Sequence, residues 1–260
     1  MLTNARQKMI ETIALRDGEV IISKVAKELD VSIETVRRDI NALCEKNVLT
    51  KVHGGAVPVN PQVVEAAYTQ RKITNSVVKN KLGAYAAGML KNNAVVVIAA
   101  GSTMEAVAAS ITGVHNLTVL TNSLPVVGIL SDRNAVGLYD GKAILLGGQV
   151  HLTEHFTYGP VFEKQLEHYT ADIVFVSASA VSGPALMTSS IDEGNVLGRM
   201  LEHAARRVLI IESKKIDRRS IYRFAELDGI DEIITDDAYP LPAALMKLIK
   251  THKIELHIVK

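Results

Sequence analysis

Seven consecutive apolar residues at 94–100 form the longest uninterrupted apolar run in this chain of 260 residues. A helix that crosses a membrane needs roughly 20 apolar residues, so the run predicts no membrane span. A short run rich in valine and isoleucine, flanked by helical periodicity, is instead typical of a strand that helices cover on both faces. The run therefore predicts an α/β domain built around a mostly parallel sheet.

The same alternation of helix and strand continues from about residue 75 to the C-terminus. Further strands are predicted at 117–120, 143–146, 173–177, 208–211, 232–235 and 254–259. Helices are predicted at 79–90, 104–111, 124–130, 161–168, 196–206 and 241–250. We assign residues 75–260 to this α/β domain. Residues 59–74 are assigned to a linker, because Pro58 and Pro61 mark its start by removing backbone donors and restraining the residues before them.

The first 58 residues follow a different pattern, which predicts a winged helix-turn-helix domain over 1–58. Apolar residues near the N-terminus recur at helical spacing, and a short apolar piece at 20–22 predicts a small strand. Ser23 and Ser32 are predicted N-caps of two closely spaced helices, so the helix-turn-helix covers about 20–39. Residues 48–57 then predict two strands joined by a Gly-Gly turn, which is the wing.

The third predicted helix carries side chains that suit a DNA duplex. Arginine can bind guanine through two hydrogen bonds, and asparagine can do the same for adenine. Serine and threonine bind phosphates through their hydroxyls, or contact a thymine methyl group. The helix also has an apolar stripe that predicts its buried face, made of Ile33, Val36, Ile40 and Leu43. The predicted DNA-binding residues, with two on the wing, are Ser32, Thr35, Arg37, Arg38, Asn41, Lys51 and His53. The alternative is a solvated face on which Arg37, Arg38 and Asp39 form local ion pairs of little energetic value.

The charge balance limits how such a domain can bind DNA. The whole chain has 29 Lys and Arg against 28 Asp and Glu, and residues 1–57 have nine against eight. A domain with a net charge of +1 binds non-specific DNA weakly. Operator affinity must then come from geometry and from paired domains, so we expect double-stranded DNA as the partner and a homo-oligomer as the binding form.

Two further features narrow the class of protein. The single cysteine, Cys44, excludes an intrachain disulfide and a thiolate metal cluster. Charges interrupt the apolar residues of the N-terminal segment, which is not the pattern of a secretory signal. We therefore expect a cytoplasmic protein. His151 and His155 are four residues apart, but the segment around them predicts a loop and no third ligand is nearby. No metal, cofactor or catalytic residue is therefore predicted.

Polar residues follow several predicted strands of the α/β domain. Gly101–Thr103 lies between a strand and a helix, where free backbone N–H groups and two hydroxyls form an anion site, although an ordinary turn has the same composition. Asn122–Ser123 and Lys214 follow two other strands and should lie on the same carboxyl edge, where open α/β sheets bind ligands. We expect the first loop, with Lys79 or Lys214, to hold a phosphate and Asn122–Ser123 to hold sugar hydroxyls.

The segment VAKELDVSIETVRRDINALCEKNVLTKVHGGA, at residues 25–56, resembles the N-terminal signature of the DeoR family of bacterial transcription regulators. The segments TVRRDI and HGGA are its most specific parts. The resemblance continues in the family's order over nearly the whole chain, at 70–71, 79, 100–103, 120–124, 147–148 and 212–214. It implies a repressor of a carbohydrate-use operon that a phosphorylated sugar controls, and a sensor fold related to ribose-5-phosphate isomerase and the CoA transferases. With the third family loop included, the predicted effector-binding residues are Lys79, Gly101, Ser102, Thr103, Asn122, Ser123, Gly148 and Lys214.

The chain also departs from the family pattern. Ala99 stands where an acidic residue is usual, the stretch 175–181 lacks the usual Gly and Asp or Asn, and Gly198 replaces a usual lysine, although Glu193 is kept. These differences predict an unusual ligand or weaker binding. They also argue against a phosphosugar isomerase, which needs a positioned carboxylate as a general base. Glu193 and Glu212 remain candidates for that base, but Glu212 is expected at a strand end, where it faces the core rim or caps a neighbour.

Two other functions remain as alternatives. The first is a sugar-phosphate isomerase with an appended DNA-binding domain, which turnover of ketose or aldose phosphates would reveal. The second is a protein-interaction module whose winged helix binds a partner. A partner groove would prefer exposed apolar anchors over the arginines and asparagine of the third helix, so the sequence favours DNA.

Overall fold

The computed structural model describes residues 3–17, 19–46, 48–52, 54–58 and 68–260. The wing residue His53 and residues 59–67 of the predicted linker lie outside this description. The chain divides into two compact units, one built on the N-terminal helices and the other on the large sheet that follows.

The N-terminal unit contains three helices and a small antiparallel sheet of order β1-β3-β2. Its elements are α1 (Thr3–Asp17), β1 (Val20–Ile21), α2 (Ile22–Glu28), α3 (Ile33–Glu45), β2 (Leu49–Val52) and β3 (Gly55–Pro58). Apolar residues from all three helices and from the sheet form one buried core, which includes Ile10, Val25, Val36, Ile40 and Leu49. This is the predicted winged helix-turn-helix arrangement.

Of the two predicted caps in this unit, one is confirmed and one is wrong. Ser32 caps α3, since its Oγ accepts a hydrogen bond of 3.1 Å from the backbone N–H of Thr35. Ser23 lies inside α2, which begins at Ile22 directly after β1. The N–H of Ile22 donates to the carbonyl oxygen of Gly54 at 3.2 Å, so the wing supplies a partner at the start of this helix.

The second unit alternates helices and strands as predicted. Its elements up to the middle of the sheet are α4 (Tyr68–Ile73), α5 (Ser76–Ala87), β4 (Val95–Ile98), α6 (Ser102–Ser110), β5 (Thr118–Thr121), α7 (Leu124–Ala135), β6 (Lys142–Leu145), β7 (Gln149–His151), β8 (Phe156–Tyr158), α8 (Pro160–Leu166) and β9 (Ala171–Val176). The remaining elements are β10 (Ala180–Ser182), β11 (Ala185–Thr188), α9 (Ile191–Glu202), β12 (Ala204–Ile210), β13 (Tyr222–Glu226), β14 (Glu232–Asp236), α10 (Ala243–His252) and β15 (Glu255–Val259). Single 3-10 turns lie at Ser213–Lys215 and Leu227–Gly229.

Seven strands form one parallel sheet in the order β15-β14-β12-β9-β4-β5-β6. Its central strands are buried on both faces: Val96, Val97 and Ile98 of β4 have no solvent exposure. The fold expected from the apolar run at 94–100 is therefore confirmed. Because all seven strands run in the same direction, the loops that follow them meet at one carboxyl edge.

Two local predictions in this unit are wrong. The helix expected at 196–206 spans Ile191–Glu202, and its expected last turn belongs to β12. Arg206 and Arg207 lie in that strand because they pair with Glu232 and Asp231 at the start of the neighbouring β14. The loop expected at 153–156 is the turn between β7 and β8 as far as His155, but its last residue, Phe156, lies in β8 and is 2% exposed.

No helix in the part of the chain that the structure describes is long and apolar enough to cross a membrane.

Candidate DNA-reading surface and effector site

Helix α3 is amphipathic, with Val36, Ile40 and Leu43 buried against the core as predicted. The prediction for Ile33 is wrong, because this side chain is 49% exposed. Ile33 is the first residue of α3, and the buried positions begin three residues later, at Val36.

Asp39 takes a place on the buried face of α3 that the sequence did not predict, at 3% exposure. Its carboxylate accepts hydrogen bonds from Arg6 Nε at 2.5 Å and from the side-chain amide of Gln7 at 3.3 Å, both on α1. A buried carboxylate needs such partners to offset its loss of hydration. Asp39 thus fixes α3 to α1, and the local ion pairs of the solvated-face alternative involve Glu34 in place of Asp39.

The opposite face of α3 carries the predicted DNA-binding groups on the surface. The side chains of Arg37 and Arg38 are 61% and 80% exposed, and each lies 3.9 Å from a carboxylate oxygen of Glu34. Exposed ion pairs of this kind contribute little to stability, so the arginines can exchange Glu34 for another acceptor. Asn41 is also exposed on this helix, and Lys51 is exposed on β2 of the wing.

The first effector loop lies between β4 and α6. Gly101 has a φ of +118°, a conformation that favours glycine, and it occupies the N-cap of α6 without supplying a side-chain hydrogen bond. The first N–H groups of the helix, from Ser102 onward, therefore remain available, together with the positive end of the helix dipole. Thr103 is 5% exposed, so its hydroxyl lies within this unit.

The second effector loop follows β5 on the same edge of the sheet. Asn122 is 1% exposed; its side-chain N–H donates to the carbonyl oxygen of Thr157 at 3.1 Å, while its Oδ1 has no partner among the described residues. Ser123 caps α7, since its Oγ accepts from the N–H of Val126 at 3.3 Å. A buried acceptor without a donor is costly, and a hydroxyl group of a ligand would supply that donor.

Lys79 and Lys214 meet around one carboxylate. Lys79 Nζ lies 3.9 Å from Glu212 Oε1, and Lys214 Nζ lies 3.4 Å from Glu212 Oε2. Glu212 stands at the end of β12 as expected, but its carboxylate is 3% exposed and joins the two lysines instead of the core rim. Asn75 donates to the same carboxylate at 2.8 Å. The sequence analysis missed both Asn75 and this role of Glu212, although Glu212 directly precedes the Ser-Lys motif.

The environment of Lys79 favours the neutral amine. Burial is the main cause that lowers the pKa of Lys79 to about 8; Glu212 opposes this shift, and the nearby charges of Lys215, Lys214 and Arg71 add to it. The amine donates to the carbonyl oxygens of Arg71 and Thr74, the latter at 2.9 Å. An anion bound here would favour the charged form of Lys79.

Helix α4 lies in the C-terminal part of residues 59–74, which we assigned to a linker, and polar contacts attach it to this unit. The hydroxyl of Tyr68 donates to Glu105 Oε1 at 2.7 Å, and Lys72 Nζ lies 3.3 Å from Glu105 Oε2. Arg71 pairs with Glu154 in the turn of the β7–β8 hairpin. Glu105 is 5% exposed and lies in the first turn of α6, the helix that begins at the first effector loop. The sequence analysis missed these contacts, because they join residues far apart in the chain.

The remaining predicted position, Gly148, has a packing reason to be glycine. A Cβ atom there would lie 2.4 Å from the carbonyl oxygen of Tyr158, and its φ is +145°. The neighbouring N–H of Gly147 donates to the side-chain oxygen of Gln165 at 2.6 Å. Contact between Gly148 and an effector stays a prediction.

Among the described residues, no group of three His, Cys, Asp or Glu side chains has its ligand atoms close together near these loops. His151 stacks on Phe156 with ring centroids 5.1 Å apart. Within the described residues, one group of three such side chains has ligand atoms close together, namely Glu232, Glu255 and His257. It lies at the starts of β14 and β15, at the opposite edge of the sheet, and Arg206 already pairs with Glu232.

Family models match both units of this chain. A DeoR-like helix-turn-helix domain matches residues 6–62, and a DeoR C-terminal sensor domain matches residues 74–237. The chain is 30% identical over 220 residues to the HTH-type transcriptional repressor GlcR of Bacillus subtilis, covering 84% of this chain and 83% of that protein. It is 28% identical over 238 residues to a lactose phosphotransferase system repressor of Staphylococcus aureus, covering 91% and 93%.

Among solved structures, ribose 5-phosphate isomerase A from Methanocaldococcus jannaschii is similar to this chain with a TM-score of 0.38 and 14% identity, over 55% of each chain. The family models cover most of the chain with a DNA-binding and a sensor domain in the order that the residues indicated. The resemblance is thus confirmed: this chain belongs to the DeoR family and is a DNA-binding transcriptional regulator.

Proposed function

We propose that this regulator represses genes for carbohydrate use and that a phosphorylated sugar, bound at the carboxyl edge of the sensor sheet, controls the repression. The names of its relatives, among them a lactose phosphotransferase system repressor, support the class of target gene. The choice of a sugar phosphate as the ligand rests on groups at one edge of the sheet that can bind it. They are the uncapped backbone amides of α6, the two lysines around Glu212, and the acceptor Asn122 Oδ1.

These groups suit a sugar phosphate in both of its parts. The amides at the start of α6 and the amines of Lys79 and Lys214 bind the phosphate, because all of them carry positive charge or donate hydrogen bonds. The buried Asn122 Oδ1 accepts from a sugar hydroxyl. The proposed effector-binding residues are Lys79, Gly101, Ser102, Thr103, Asn122, Ser123, Gly148 and Lys214, and the proposed DNA-binding residues are Ser32, Thr35, Arg37, Arg38, Asn41, Lys51 and His53.

Helix α4 supplies a route by which the ligand affects DNA binding. A phosphate at the first turn of α6 would attract Lys72 away from Glu105, which lies in the same turn. The attachment of α4 would then change, and α4 lies in the segment 59–74 that joins the two predicted domains. The ligand can shift the equilibrium between two positions of α4 only to the extent that it binds the protein more tightly in one of them.

Operator recognition requires more than one copy of the chain. A single N-terminal unit offers few positive charges, so two paired units on a repeated operator are needed for useful affinity. We therefore propose a homo-oligomer.

The experiment is recovery of genomic fragments by the purified chain, with and without a panel of sugar phosphates. We expect a few enriched sites beside sugar-use genes and one compound that releases them. Lys214→Gln should bind the same sites but lose the response, whereas Lys91→Gln, which changes an exposed lysine, should respond normally. A normal response from Lys214→Gln would place the ligand elsewhere.

A second arm separates ligand binding from coupling. Glu105→Gln keeps the size of the side chain but weakens its contacts with Tyr68 and Lys72. It should bind the active compound and release DNA at an altered concentration. Turnover of the same panel by the wild-type chain would favour the isomerase alternative, for which the candidate carboxylates are Glu193 and Glu212, the latter between two lysines.

A further inference from the structure

The exposed face of α3 contains one aliphatic side chain among charged and polar ones. Apart from Glu45 at its last position, the exposed residues of the helix are Ile33, Glu34, Arg37, Arg38 and Asn41. Their spacing of one, three, one and three residues places them on one face of an α-helix. Ile33 therefore lies on the same surface as the two arginines and the asparagine, at its N-terminal end.

Ile33 is not used to build the domain. Its side chain is 49% exposed. The apolar residues that pack onto the core of this unit from partly buried positions are Ile22, Leu29, Val31, Cys44 and Val48. Single exposed apolar residues are common on proteins, so exposure alone implies nothing. The position is informative because the N-terminal residues of a recognition helix are those that reach base edges in helix-turn-helix complexes.

We propose that Ile33 is a specificity-determining residue that contacts the C5 methyl group of a thymine in the operator. The methyl group is the apolar feature that an A·T pair presents in the major groove, and aliphatic side chains recognise it by contact. Binding removes both apolar groups from water, which favours thymine over every base that lacks the methyl. Glu34 and Arg37, beside Ile33, cannot make this distinction, since both act through charge and hydrogen bonds.

The experiment uses operator duplexes selected by the wild-type chain from a random-sequence pool. Each thymine of a half-site is replaced in turn by uracil, which removes only the methyl group. For the wild-type chain, at least one replacement should weaken binding about fourfold, the value of burying one methyl-sized group. For Ile33→Ala, thymine and uracil at that position should bind equally, while affinity for the uracil duplex stays near that of the wild type.

Two variants serve as controls. Ile33→Val keeps a branched aliphatic side chain and should retain part of the preference for thymine. Val52→Ala shortens a side chain that is 45% exposed on β2 and should leave the preference unchanged. Thermal unfolding of Ile33→Ala should match that of the wild type, because the removed atoms are half exposed.

Three results would overturn the proposal. The first is a wild-type chain that is indifferent to every replacement of thymine by uracil. The second is an Ile33→Ala variant that keeps the full preference. The third is an Ile33→Ala variant that loses affinity equally on thymine and uracil duplexes, since this would indicate a role in the helix itself.

Discussion

The two ends of this molecule use charge in opposite ways. On α3 the arginines are exposed, and their distances to Glu34 are 3.9 Å. In the sensor unit the carboxylates are buried and each contacts two side chains: Glu212 contacts Lys79 and Lys214, and Glu105 contacts Tyr68 and Lys72. An exposed charged side chain can exchange one ion-pair partner for another at little cost in free energy. A buried charged side chain can change its partner only if the groups around it move as well. If both proposals hold, the α3 surface binds DNA without rearrangement, whereas the sensor must rearrange its ion pairs when a ligand binds.

The N-terminal unit has one exception to this contrast, and it gives the largest expected effect. Asp39 is a buried charge there, held by Arg6 and Gln7. Asp39→Ala should destabilise the unit by about 3 kcal/mol, since removing one partner of a buried pair leaves the other without compensation. Urea unfolding of the full chain would measure this. Glu28→Ala, at an exposed position of α2, should change stability little. Equal stability of Asp39→Ala and wild type would mean that this charge is not truly buried.

The next effect concerns the exposed arginines. Arg38→Ala should reduce operator affinity by about 1–3 kcal/mol and relax the preference at one base pair, because arginine binds guanine through two hydrogen bonds. Arg38→Lys should recover little of the preference, since lysine lacks the planar fork. Titration of labelled operator at fixed salt would measure both. Arg223→Ala, on exposed β13 of the sensor unit, is the control and should bind DNA normally. An unchanged affinity of Arg38→Ala would remove this residue from the DNA surface.

Ligand binding by the sensor unit should depend on pH, because the buried Lys79 titrates close to neutral pH. The pKa of Lys79 is lowered to about 8, so its charge is lost as the pH rises through that value. Affinity for the active sugar phosphate should therefore fall severalfold between pH 7 and pH 9, as one of the binding charges disappears. Lys79→Arg, which stays charged, should bind with a flatter pH profile. Calorimetric titrations at several pH values would test this, and identical profiles for the two proteins would contradict the proposed role of Lys79.

The same titration has a consequence for stability, with the opposite sign. A lysine whose pKa is lower in the folded state than its usual 10.5 binds fewer protons when folded. Between about pH 8 and pH 10.5 the unfolded chain then holds the extra proton, so this group makes folding more favourable as the pH rises. Lys79 therefore weakens the unliganded fold at neutral pH, which is consistent with a group kept for binding.

The contrast also explains what the sequence could predict. Periodicity predicted the parallel sheet and the helix-turn-helix, since both follow from local patterns of apolar residues. Periodicity failed where a polar residue is buried or an apolar residue is exposed. In α3, Asp39 is an example of the first case and Ile33 of the second. Asp39 is buried because Arg6 lies across from it, and Tyr68 binds Glu105 across 37 residues. Contacts of this kind depend on the assembled fold, so no local pattern encodes them.

The smallest effect tests whether Glu34 moderates the DNA surface. Glu34→Gln removes the acceptor that lies near both Arg37 and Arg38. The exposed pairs contribute less than about 1 kcal/mol each, so stability should change little. Non-specific DNA, however, should bind a few-fold more tightly and with a steeper dependence on salt, because the domain gains one net positive charge. Affinities for operator and random duplex, measured over a range of salt, would show the difference. If the variant binds random DNA as the wild type does, Glu34 has no such role, and the weak non-specific binding of this domain follows from its overall charge balance alone.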